Sequence, residues 1–441
     1  NAILANQEVR NALSHAINRE NIVSSIYNNK YKVKAADVYE YIVMTLEKAI
    51  DLLPNTNTAG RIDKWGAKGL LAKVYLAKSG INCNGNGQRD ENDLAKAAEL
   101  AKDVIDNSGK KLMEKYEDIF KGENNNCDES LIGWRWTADQ LNYTCGNCLT
   151  SELAPAGFCE YQSWGDWTAP SVDLEEAFGV TPLQNPSSRP ATDERRKATM
   201  MMAGDTYSQW WQDKGGFDYL KFLHDKKYAP GSNDGLQSGT GANIAKHLYG
   251  NDADHVKTFG RSAGKQSSDL STHVLRLADV YLIYAEAKIG NAGSTSDASA
   301  IDAYYQVWHR ARPTLFDKPS SITLDDVLKE RRLELALEGD YWFDLVRMSY
   351  YNVEKAMNII KNQKRNAYNG LADLYKAYYN KGNGNGPWDV DESKMFYDTS
   401  TPKPNVTTSI FQLPFPQGDV VYNPHLMEEA QHVDVREAFS Y

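Results

Sequence analysis

The sequence predicts a mainly α-helical chain in which helix pairs carry a large, irregular, loop-rich insertion. Three observations predict it. Apolar residues recur with a 3.6-residue period up to about residue 128 and again from about residue 270. Between 129 and 269 that period is lost, while Gly, Pro, Ser, Thr and Trp rise together. The stretch TLDDVLKERRLELALEGDYWFDLVR, residues 323–347, combines a helix start, a helix stop and a ladder of like charges.

Residues 1–30 read as one weakly amphipathic helix with an Asn-rich end. From Asp37, a stripe of Val38, Ile42, Ala49 and Leu53 ends at Pro54, a stop signal, so a helix is expected over this stretch. Trp65, Leu71, Val74 and Tyr75 then repeat the spacing, with small Ala67 and Ala72 among them. After a loop, Leu94, Ala98, Ala101 and Ile105 form the expected inner face of a further helix. Large residues on one helix facing small ones on the next is how tetratricopeptide-like pairs approach closely. A comparable pair is expected at 275–289 and 300–312. Leu275, Ala278, Leu282 and Ala285 line one side of its first helix, and Val274, Leu277, Tyr281 and Tyr284 another, which marks that helix as buried all round.

Thr323 with Asp326 is a capping box, Ile322 with Val327 a hydrophobic staple, and Gly339 a left-handed C-cap, so a helix should run from about Leu324 to Glu338. Glu330, Glu334 and Glu338 stack at i,i+4, which is unfavourable unless cations neutralise them. Arg331, Arg332 and arginines of neighbouring helices are the expected source; Tyr341, Trp342, Leu345 and Val346 continue an apolar pattern, with Asp344 placed to pair with Arg347. From Lys381 the chain is loop-like, and Pro414, Pro416 and Pro424 make its end an expected extended tail on the helices. The expected parts are therefore 1–128, 129–269, 270–380 and 381–441.

With a formal net charge of −10 and no basic run, the chain lacks the clustered cations that nucleic acid requires. No apolar stretch approaches the roughly 18 residues of a membrane helix. The 10 Trp and 26 Tyr carry more information, because planar amphipathic rings stack on sugar CH faces while nearby polar side chains bond hydroxyls. Two insertion clusters offer this combination: Tyr161, Trp164, Asp166 and Trp167 in YQSWGDWTAP, and Tyr207, Gln209, Trp210 and Trp211 in DTYSQWWQDKGGFDY. These eight are the expected ligand residues. No catalytic residues are expected. Gly260–Gly264 matches GxSxG, yet neither a preceding strand nor a following helix is predicted there. Cys145 and Cys148 form a lone CxxC without a redox context, and no metal is assigned. One loop, NCNGNGQRDEND, places Asn82, Asn84, Asn86, Asp90 and Asp93 at calcium-loop positions, but the first three are neutral; a plain turn is the expected reading, and calcium the only cofactor considered.

The string ERRLELALEGDYWFDLVR resembles the C-terminal signature of the SusD/RagB family, surface-exposed nutrient-binding lipoproteins of Bacteroidetes. LRLADVYLIYAEA at 275–287 and FQLPFPQGDVVYNPHL at 411–426 match further family segments in order. The resemblance implies a SusD-like tetratricopeptide scaffold at the outer-membrane surface. It also implies capture of an oligosaccharide, or of peptide in RagB-like members, and a SusC-like TonB-dependent transporter as partner. Anchoring would be by a lipid on a segment that this sequence does not include. Members normally carry a longer N-terminal region ahead of the segment at Val38, so that region is expected to be incomplete here. A glycoside hydrolase is the enzymatic rival; it would need two facing carboxylates.

Overall fold

The computed structural model describes residues 32–439 except 139–145, 160–162, 164, 166–167, 188, 190–192 and 233–234. Its first part holds α1 (Ala35–Leu52), α2 (Lys64–Lys78) and α3 (Glu91–Asn107). The Asp63 side chain accepts the Trp65 and Gly66 amides and starts α2, while Asp90 does the same for α3 through the Asp93 amide. On α3 the fully buried stripe is Leu94, Ala97, Ala101 and Val104, about one position from the expected face; Ala98 and Ile105 sit at its margin. The alanines let α2 and α3 approach, as the large-to-small pattern requires.

β1 (Ser130–Trp134) opens the insertion and pairs antiparallel with β2 (Thr272–Arg276), which closes it. The two ends of a long irregular stretch are thereby stitched together against the helices. β2 runs directly into α4 (Leu277–Ile289), with eleven of its thirteen residues buried. That all-round burial follows from contact with α2 and α3 on one side and α5 (Ala298–Ala311) on the other. α6 (Leu324–Glu334), α7 (Asp340–Tyr351), α8 (Val353–Asn362) and α9 (Leu371–Gly382) complete the helical frame. Among the described residues no helix is long and apolar enough to cross a membrane.

α6 begins as expected, with the Thr323 hydroxyl accepting the Asp326 amide and the Asp326 carboxylate accepting the Thr323 amide. It ends four residues early, at Glu334. The reason is visible in its last carbonyls, which accept from side chains outside the helix: Glu334 from the Tyr116 hydroxyl (2.6 Å) and Arg276 (3.0 Å), Ala336 from Lys246 (2.6 Å). Leu337 and Gly339 then take left-handed backbone, φ 64° and 94°, and the chain turns into α7.

The glutamate ladder is neutralised by arginines of neighbouring elements, as expected, and not by Arg331 or Arg332. Glu330 pairs with Arg195 (2.7 Å) and Arg312 (3.1 Å), and Glu334 with Arg195 (3.1 Å), Arg276 (2.9 Å) and Arg310 (2.6 Å). Glu338 pairs with Arg276 (2.7 Å) and Lys246 (2.9 Å). Arg331 contributes nothing to the ladder; it reaches Asp279 on α4 and Asp344 on α7 (3.0 Å). Asp344 also pairs with Arg347 (2.9 Å), as the spacing predicts. These buried ions tie α4, α5, α6, α7 and the insertion into one body, a scaffold role for the charges.

The chain's end is not simply extended. It forms short helical turns at Thr408–Phe411 and Pro424–Met427, and returns to α1, where Val435 packs with Tyr41 and the Val433 amide donates to Asp37 (2.9 Å).

Candidate functional site

The expected aromatic ligand residues have different fates. Tyr207, Trp210 and Trp211 are core residues, not exposed platforms, and that expectation is corrected. A two-residue hairpin, Thr206–Tyr207 against Phe217–Asp218, folds them inward onto Phe158, Phe217 and Phe222. Tyr207 and Trp210 stack on each other with centroids 4.4 Å apart. Trp211, only 2% exposed, donates its indole N–H to the Phe158 carbonyl (3.0 Å). With ring faces covered by protein, none is available to a sugar. Gln209 borders a cavity of ≈70 Å³ beside Trp210 and Tyr249, room for about two waters at ~30 Å³ each and not for a sugar ring.

Tyr161, Trp164, Asp166 and Trp167 lie outside the described residues, but the backbone between them is fixed. The buried Gly165 amide donates to the Ala154 carbonyl (2.8 Å), and its carbonyl accepts from Asn243 (3.4 Å). A Cβ at Gly165 would lie 2.0 Å from the Leu153 carbonyl oxygen. Gly165→Ala should therefore cost about 1–3 kcal/mol, because backbone rather than a flexible side chain would have to move; urea denaturation measures it, and an unchanged midpoint would contradict the tether. Downstream, the Thr240 hydroxyl donates to the Pro170 carbonyl (2.9 Å) and Ser171 caps a short helix at Val172–Ala177.

Pro170 and Ser171, immediately after that segment, form one wall of an open cleft of ≈630 Å³. The opposite wall comes from the α6–α7 junction, with Arg332, Leu337, Tyr341 and Trp342, and from Gln363 and Arg365 after α8. The half-buried Trp342 stacks on Phe411 of the C-terminal segment, centroids 6.1 Å apart and planes 23° apart. The Arg332 guanidinium lies 4.8 Å from the Tyr341 ring and pairs with Asp173. Burial raises the Tyr341 phenol above its ordinary value, with Arg332 opposing, so it stays a neutral donor. Arg365 donates to the Gln363 side-chain amide oxygen (2.9 Å). Two aromatic rings flanked by guanidinium and amide groups in an open cleft suit a polyhydroxylated ring.

The apolar pattern of Tyr341 and Trp342 does not bury them: both are half-buried and line the cleft. The available signal was three consecutive aromatics, Tyr341, Trp342 and Phe343, opening a helix whose buried stripe begins at Asp344 and Leu345. They cannot all face the core.

The other sequence candidates have structural employment. Asp90 caps α3 and Asp93 pairs with Lys78 (2.7 Å), so both carboxylates of the candidate calcium loop have partners; Asn84 sits at φ 51° in the turn, and Asn86 bridges to Asn352. Asn82 lies in the same turn. Among the described residues no cluster of three metal-ligating His, Cys, Asp or Glu side chains occurs. Ser262 of the GxSxG string follows a helix and donates to Asp252, unlike a nucleophile on a strand-to-helix turn. Cys83, Cys127 and Cys148 form no disulfide among the described residues, and Cys145 lies outside them.

Known proteins share this architecture. The SusD family model matches residues 137–431. A SusD-like protein of Bacteroides ovatus is 35% identical over 398 residues, covering 89% of this chain; the chain spans 66% of that relative's length. A crystal structure with xylogluco-oligosaccharide superposes with a TM-score of 0.73 at 29% identity, covering 100% of this chain and 85% of the other. A SusD-like protein of Bacteroides fragilis shares the fold at 19% identity and a TM-score of 0.56, covering 88% of this chain and 70% of that one. With the family pattern spanning well over half of its length on a matching helical scaffold, the chain belongs to the SusD family.

Proposed function

We propose that this chain is a cell-surface glycan-binding protein that captures an oligosaccharide in the cleft of Tyr341 and Trp342 and passes it to a SusC-like TonB-dependent transporter. The observation that carries the reading is the cleft itself: aromatic rings with Arg332, Gln363 and Arg365 around them, beside the segment bearing Trp164 and Trp167. A relative at 29% identity, solved with xylogluco-oligosaccharide, supports a neutral plant-type glycan as ligand. The site works by stacking and hydroxyl bonding, and release needs no chemistry. Among the described residues lining the cleft there is no Asp or Glu. Attachment to the outer membrane would be through a lipid anchor.

Affinity electrophoresis through gels containing xyloglucan tests the site. Trp342→Ala should lose about tenfold or more in affinity, as truncation of a central aromatic anchor does, with little change in thermal stability. Trp164→Ala and Trp167→Ala should weaken binding in the same assay. Unretarded wild-type protein, or three variants retarded like wild type, would overturn the assignment; retention of a peptide ligand instead would favour the RagB-like reading.

A further inference from the structure

We propose a second saccharide site, sharing no lining residue with the cleft, that takes an acidic sugar residue. It is a groove of ≈200 Å³ between the turn at residues 57–63 and the segments 125–135, with room for a single ring. The charged residues lining it are Arg61, Lys110, Arg135 and Asp63, three cations against one acid in a chain whose net charge is −10. The acid is partly committed: one Asp63 oxygen accepts the Trp65 and Gly66 amides at the start of α2. The three cations make no ion pair among the described residues. Asn57 and Asn125 are also committed, the first to Ile62 and Thr58, the second to the Asp269 carbonyl and the Ser271 amide. What remains for a ligand is led by three cationic side chains, with the Thr58, Ser130 and Ser271 hydroxyls and the Asn126 amide beside them.

That imbalance selects the ligand. A carboxylate or sulfate oxygen is negatively charged and only accepts, with lone pairs for several donors, so three cations against one carboxylate favour it over a neutral hydroxyl. The groove is also held in shape. Gly60 sits at φ 84° with the Arg135 stem across it, so close that a Cβ there would lie 2.8 Å from the arginine Cδ. Beside Arg135 in the chain, Trp134 is 54% exposed and Trp136 is fixed by its indole N–H to the Thr272 hydroxyl (3.0 Å). An exposed indole next to an anion-binding groove offers a stacking surface for the neighbouring ring of the same chain.

This inference rests on the chain being saccharide-binding, and its test separates the two. The whole chain is titrated calorimetrically with an oligogalacturonate, with a sulfated chondroitin oligosaccharide and with a neutral xylogluco-oligosaccharide, at low and at physiological salt. Binding of the oligogalacturonate or of the sulfated glycan is expected, identifies the anion as carboxylate or sulfate, and should weaken steeply with salt. The surface variants Arg61→Ala and Lys110→Ala together should lose about tenfold in that affinity and leave the neutral ligand's affinity unchanged. Arg135→Ala, which also removes packing on Gly60, is compared only if its melting temperature matches wild type. Failure of both acidic ligands to bind, or binding indifferent to Arg61 and Lys110, overturns the second site; binding of the neutral ligand in the same experiment would leave the cleft assignment standing.

Discussion

Arg276→Met should lower the unfolding free energy by about 3–5 kcal/mol, the cost of leaving buried charges without their partner. Arg276 is 1% exposed and meets three carboxylates at once: Glu129 (2.6 Å), Glu334 (2.9 Å) and Glu338 (2.7 Å). Burial alone would push all these acids up. For Glu338 the Arg276 and Lys246 charges win and hold it down to about 2; for Glu334 the charges of Arg310, Arg276 and Arg195 hold it well below the usual carboxylate range. Both carboxylates are therefore ionised in the folded chain at pH values where the unfolded chain protonates them. Their stabilisation is complete above about pH 4.5 and is lost as pH falls toward about 2. Urea midpoints across this window for wild type and Arg276→Met measure both effects. A variant within about 1 kcal/mol of wild type would show that the ladder of Glu330, Glu334 and Glu338 is held by something other than these ions.

Glu175→Gln should have the opposite sign. Glu175 lies fully buried in the short helix behind the cleft wall, and neither carboxyl oxygen has a hydrogen-bond partner among the described residues. The neighbouring Thr240 hydroxyl is committed to the Pro170 carbonyl, and Arg189 offsets only part of the desolvation. Burial therefore pushes the Glu175 carboxyl up to about 9. Folded chain keeps the proton where unfolded chain loses it, so stability falls as pH rises from about 4.5 toward about 9. At pH 7 that linkage costs about 3 kcal/mol, at about 1.4 kcal/mol per pH unit. A glutamine cannot ionise and should recover most of it, flattening the alkaline side of the pH profile. Thermal denaturation at pH 5 and pH 8 checks this; equal gains at both would contradict a buried neutral acid.

Local signals in the sequence read well. Thr323 with Asp326, Gly339, the Asp344–Arg347 spacing and the all-round apolar α4 each depend on residues within one or two turns, and the fold class followed from them. The partners of the glutamate ladder did not follow, because Arg195 lies 139 residues from Glu334 and Arg276 lies 58 away. Only three-dimensional packing brings them together. The site suffered from the same limit. Trp210 and Trp211 have the composition of a sugar platform, but a short hairpin turns them onto Phe158 and Phe217, and composition does not show which way a ring points. Tyr341 and Trp342 were hidden by the reverse error: their helical spacing looked like core, whereas the left-handed backbone at Leu337 and Gly339 swings the start of α7 to a cleft edge. Trp164 and Trp167 lie outside the described residues and remain expectations.

The most direct test of the account is isothermal titration of the chain with xylogluco-oligosaccharide, followed by chromatography of the same sample for shorter products. Capture in the Trp342 cleft predicts saturable binding, tryptophan emission that changes with occupancy, and an intact ligand afterwards. Shorter products accumulating with time, or no binding by any glycan beside clear binding of peptides, would contradict it.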